Sequence, residues 1–106
     1  MAESDLPSEE ELREALHKIA VSDVLLSALT TMLSLGYQRV ATEGRDLSQV
    51  RLTIEALRAL EPVLREGGVD EAVVRDLEQA RANLQLAYAN AVAEESHAEP
   101  ETDADR

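Results

Sequence analysis

Two residue pairs in this chain have the spacing of a site that does chemistry. Glu14 with His17 and Glu94 with His97 each form E-x-x-H, which on a helix places a carboxylate and an imidazole on one flank. Two such motifs plus two more glutamates, for which Glu55 and Glu78 are available, are what a di-iron or di-manganese carboxylate bundle requires. The surroundings argue against that chemistry. Glu14 and His17 flank the apolar positions Leu12, Leu16 and Ile19 and do not lie among them, and Glu94 and His97 fall where the helical pattern fades. Metal ligands need a fixed first set of donors and further groups to orient them.

Arg51, Arg58 and Arg65 recur every seven residues, the spacing of a ridge that suits bidentate anion contacts. Glu55 and Glu61 lie within a turn of that ridge, and Glu61 precedes Arg65 by four, the favourable order for a surface pair. A solvated, salt-bridged flank is therefore expected. No carboxylate is expected inside an apolar pocket beside a partner, the setting that tunes a pKa for acid-base catalysis. Glycine-rich phosphate loops and nucleophile elbows are absent from the sequence. The expectation is a protein that is not an enzyme and uses no cofactor.

The elements that would carry these residues are organised around Val24 to Gln38, VLLSALTTMLSLGYQ. These fifteen residues hold no charge in a chain that is 30% charged. As a helix, Val24, Leu25, Ala28, Leu29, Met32, Leu33 and Leu35 make a wide apolar face, and Ser27, Thr31, Ser34 and Gln38 make a narrow uncharged polar stripe. Such a stripe permits close approach of another backbone. The run falls short of the roughly 18 apolar residues of a membrane span, so a core helix with a second partner is the reading adopted. Peripheral membrane association through residues 24–38 is the alternative.

Composition narrows the classes. The chain has 106 residues, no Cys and only two aromatics, Tyr37 and Tyr88, so disulfides, thiolate sites and base-stacking platforms are not available. The first residues, MAESDLPSEEE, lack the pattern of a secretory signal, and a cytoplasmic location is expected. The net charge is −12, concentrated at the ends. Residues 1–11 hold five acids and no base, and residues 94–106 hold six acids and one Arg. Nucleic acid is not an expected partner.

In order, residues 1–7 read as a disordered acidic tail, 8–93 as one helical domain and 94–106 as a second disordered acidic tail. Ser8 with Glu11 makes a capping box, and a break or bend is expected near Ala20 to Ser22. Thr42–Arg45 reads as a connection, Asp46 with Gln49 as the start of a helix to about Arg65, and Gly67-Gly68 as its stop. Pro62 should bend that helix or end it a turn early. Asp70 opens a last helix to about Ala93, with Val69 and Val74 placed as a hydrophobic staple.

So short a connection makes the last two helices an antiparallel hairpin. Its seam is Leu47, Val50, Ile54, Leu57 and Leu64 against Val73, Leu77, Ala80, Leu84, Ala87 and Ala91, interrupted by Glu61. The fold class is all-α, a small helical bundle with this C-terminal hairpin and one uncharged core helix. Each hairpin helix also has a second apolar row: Leu52, Ala56, Ala59 and Val63 on one, and Ala82, Leu86, Ala89 and Ala93 on the other. Helices apolar on two sides must be covered on two sides. Ser27, Thr31, Ser34, Leu52, Ala56, Ala59, Ala82, Leu86 and Ala89 are the candidate interface. The expected partner is a second copy, a dimer first, or else another protein.

LLSALTTMLSLGYQRV followed by DLSQVRLTIEALRALEPVL resembles a bacterial family of short helical proteins catalogued as domain of unknown function 1844. The similarity spans roughly Val21 to Val92. It rests on the Leu35-Gly36 pair after an apolar helix and on a D-L-x-x-x-R/A-x-x-I-x-x-L pattern from Asp46 to Leu57. It implies a helical fold and brings no site residues with it.

Overall fold

The computed structural model describes Leu6 and residues 8–98, and these form four helices without strands: α1 (Glu9–His17), α2 (Val21–Val40), α3 (Leu47–Glu66) and α4 (Glu71–Ala98). The tail positions 1–5, 7 and 99–106 lie outside the described residues. Local chemistry explains most boundaries. The Ser8 hydroxyl accepts from the Glu11 amide at 3.0 Å while the Glu11 carboxylate accepts from the Ser8 amide at 2.9 Å, so α1 starts on a complete capping box. The Asp46 carboxylate accepts from the Gln49 amide at the start of α3, and Asp70 accepts from the Ala72 amide at the start of α4.

The α3–α4 turn is a Schellman motif. The Val69 amide donates to the Leu64 carbonyl and the Gly68 amide to the Arg65 carbonyl, with Gly68 at φ +86°, a conformation glycine adopts without steric cost. Val69 packs on the cluster that contains Leu64 and Val74, which closes the staple. α3 and α4 therefore run antiparallel as a C-terminal pair.

The core follows the expected seam except at the start of α4, where Val74 is fully buried and Val73, the expected member, is half-buried. Val50, Leu57 and Leu84 are fully buried, and Ile54, Leu64, Leu77 and Ala91 nearly so. α2 lies across the hairpin and packs on both of its helices. Leu29 joins Leu57, Leu64, Val74 and Leu77 in one cluster, and Val50, Ile54 and Leu84 form a second, with Leu33 packed against both. Gly36 is the point of closest approach. A Cβ there would stand 3.0 Å from Leu84 Cδ2 and 3.0 Å from Thr53 Cγ2, so only the missing side chain lets α2 seat on the hairpin.

Three expectations needed correction. Of the two effects expected of Pro62, the early end does not occur, since α3 runs to Glu66. Pro62 is exposed, so water can satisfy the carbonyl it leaves without a donor. α4 continues five residues past Ala93, because Arg45 reaches across from the α2–α3 connection to Glu94 at 3.1 Å and Glu95 at 3.8 Å. Residues 94–98 thus belong to the helical unit. Thirdly, Glu61 and Arg65 do not pair with each other. Glu61 turns into the seam, 3% exposed, and accepts from Arg81 at 2.8 Å, while Arg65 bonds Glu71 at 2.9 Å and Glu78 at 3.0 Å.

Candidate interaction surface

The uncharged helix buries less than its composition suggests. Only Leu29 and Gly36 of α2 are fully buried, with Leu25, Leu26, Met32 and Leu33 half-buried against the core. Val21, Val24 and Leu35 remain 81%, 56% and 48% exposed. These three, with Ala28, occupy the flank of α2 that turns toward α3 on the side away from α4, by their 100° phase relative to Leu29.

α3 presents a matching row. Leu52 and Val63 are 58% and 48% exposed, Ala56 is half-buried and Ala59 is exposed. The two rows meet along a groove because α2 and α3 run antiparallel. At one end Met32, Leu35, Gly36 and Arg39 face Gln49, Leu52 and Thr53 around about 230 Å³. At the other end Val21, Ser22 and Leu25 face Val63, Leu64 and Gly67 around about 310 Å³. Arg39 is the single charged residue lining either end.

The candidate interface residues therefore divide. Leu52, Ala56 and Ala59 join the α2–α3 face. Ser27, Thr31 and Ser34 are exposed on the next flank of α2, with Thr31 beside Val24 and Leu35 in helical phase. Ala82, Leu86 and Ala89 are exposed on the outer side of α4, opposite its buried seam, and so stand apart from both other groups. Leu86 is the one large side chain in that row, 64% exposed.

Residues outside the candidate set prove as prominent. Leu12, Leu16 and Ile19 of the α1 segment are 49%, 59% and 52% exposed, and α1 packs against none of the other helices. α1 leaves α2 at 75°. Their spacing of four and three marked them as one side of a helix, but nothing in the sequence says that this side faces no other part of the same chain. Val24 and Leu35 were visible too, as members of a face assigned wholly to the core.

The carboxylates required for a metal centre are engaged elsewhere. Glu55 pairs with Arg51 at 3.2 Å, Glu78 with Arg65 and Glu94 with Arg45, while Glu14 and His17 sit on the detached α1. Among the described residues no three His, Asp or Glu side chains come together as a metal-holding group. The titrating groups that shift belong to the ion cluster at the α3–α4 turn. Hydrogen bonds with Glu71 and Glu78 push Arg65 further up, and the Arg65 hydrogen bond holds Glu71 below the ordinary carboxylate range.

The arrangement offers apolar contact area and close helix approach. Among the described residues no single helix is long and apolar enough to cross a membrane. Comparison with family models, curated proteins and solved structures finds no match to this chain.

Proposed function

We propose that this protein is a non-catalytic helical interaction module that self-associates through an apolar helix face, with a dimer as its smallest assembly. The observation that carries this reading is the α2–α3 face. Val21, Val24 and Leu35 stand beside Leu52 and Val63, each about half exposed or more, along a groove with one charge at one end. Contiguous apolar surface of this kind marks an interaction site. The size of the core points the same way, because small domains bury too little surface to be stable with much left over. Among the described residues nine apolar residues are buried while twelve large ones are exposed, so a second copy that covers part of that surface adds appreciably to a small core.

Light-scattering mass of the full chain, read alongside binding of an apolar dye, tests this function. A mass of two or more chains with little dye binding is expected. A single-chain mass with no dye binding removes the proposal.

A further inference from the structure

We infer that the self-association just proposed, on which this inference rests, is a reciprocal exchange. The α1 helix of each copy lies in the α2–α3 groove of a second copy. The two surfaces complement each other and neither is satisfied within one chain. α1 carries Leu12 and Leu16 on one side, with Ile19 exposed just past its end, and touches no other helix. The groove from Val21 to Leu35 runs about 21 Å by the helical rise per residue, long enough to receive α1.

α1 stands clear of its own groove, making no contact with α2, α3 or α4. The Ile19 amide donates to the Leu16 carbonyl, and the Asp23 and Val24 amides both donate to Ala20. Ala20 alone, extended at φ −81° and ψ 134°, separates the two hydrogen-bonded turns. α1 stands 75° from its own α2, and a second copy can meet it where it stands. Charge agrees, since Glu9, Glu10, Glu11 and Glu14 outnumber Arg13 in α1 and Arg39 is the one charged residue lining either end of the groove.

The area is what a dimer needs. A fully exposed Leu or Val side chain offers on the order of 100 Å² of apolar surface, and eight residues are exposed by about half or more. These are Leu12, Leu16 and Ile19, with Val21, Val24, Leu35, Leu52 and Val63. Together they supply roughly 450 Å² per chain. At the roughly 65% apolar content of homodimer interfaces that corresponds to about 700 Å² per partner, close to the roughly 800 Å² of a stable complex. Each copy gives its α1 and receives the other's, so the contact is two-fold symmetric and closes at two chains.

The test uses three full-length variants, Leu16→Glu on α1, Leu52→Glu in the groove and Leu86→Glu on the outer side of α4, with mass followed by light scattering over a dilution series. All three sites are exposed, so circular dichroism is expected to show unchanged helix content. Val24→Glu stands in for any groove variant that loses it. Leu16→Glu and Leu52→Glu are each expected to raise the dimer dissociation constant at least about tenfold, and Leu86→Glu to leave it unchanged. An equimolar mixture of the first two regains two-chain mass, because one intact α1 then meets one intact groove. A wild-type chain that is a monomer throughout overturns both the exchange and the self-association reading. Wild-type dimer with Leu16→Glu still dimeric, with no gain on mixing, or with dimer lost in Leu86→Glu overturns the exchange and leaves self-association standing.

Discussion

Replacing Arg81 with Met should cost this fold a large part of its stability. Arg81 Nε donates to Glu61 at 2.8 Å and Nη1 donates to Gln85 at 2.7 Å, so the guanidinium is held against a carboxylate that is 3% exposed in the α3–α4 seam. Met keeps the volume and removes the charge and the donors. Breaking such a pair from one side costs about 3–5 kcal/mol, because the remaining charge stays buried without a partner. Arg81 itself is 20% exposed at its side chain, so water can partly take its place, and the lower end, about 3 kcal/mol, applies.

Against a total of about 5–15 kcal/mol that loss is severe. It lowers Tm by roughly 15 °C for a domain of this size. Urea unfolding followed by circular dichroism, at one fixed chain concentration so that assembly is held constant, measures it. The double variant Glu61→Leu with Arg81→Met removes both charges and should recover most of the loss, within about 1 kcal/mol of wild type. An Arg81→Met protein within about 1 kcal/mol of wild type, or a double variant as unstable as the single one, would refute the claim that this pair is buried and coupled.

Further outcomes follow from local geometry. Gly36→Ala gains about 1 kcal/mol of helix propensity but drives a methyl to 3.0 Å from the fully buried Leu84 and from Thr53, whose hydroxyl is tied to the Gln49 carbonyl. Overpacking of about 1–3 kcal/mol should win, seen as a lower urea midpoint. Gly68→Ala meets no atom within 4 Å, so its cost is the left-handed φ alone, about 1 kcal/mol, read as a small fall in Tm. Because Arg65 holds Glu71 below its ordinary 4.5, the pair's contribution is fully present above that pH and fades as pH falls through the lower folded value. Glu71→Gln should therefore lower stability slightly at pH 7, where the pair is intact, leave it unchanged well below the folded value, and so flatten the acid limb of the stability profile.

The helical hairpin was legible because the signals at its two ends and along its seam agree. Asp46, Gly67-Gly68 and Asp70 mark the boundaries, and the alternating threes and fours from Val50 to Leu64 and from Leu77 to Ala91 mark the contact. Glu61 was legible as an interruption but its partner was not, since Arg81 lies twenty residues away and four-residue spacing to Arg65 competes for it. The early end expected at Pro62 does not occur because Pro62 falls on an exposed face, which only the packed structure decides. The second apolar rows were visible as patterns. Which of them adjoin one another was not, because that depends on how α2 crosses the hairpin at Gly36. The isolation of α1 was likewise hidden, since Leu12, Leu16 and Ile19 have the same spacing whether they meet their own chain or another.

Sedimentation equilibrium of the unmodified full chain tests the central claim of self-association most directly. The account predicts a mass of twice the 11.6 kDa chain, falling toward one chain only on dilution. A species of one chain's mass across the whole concentration range, with the helix content of all four helices intact, would contradict it.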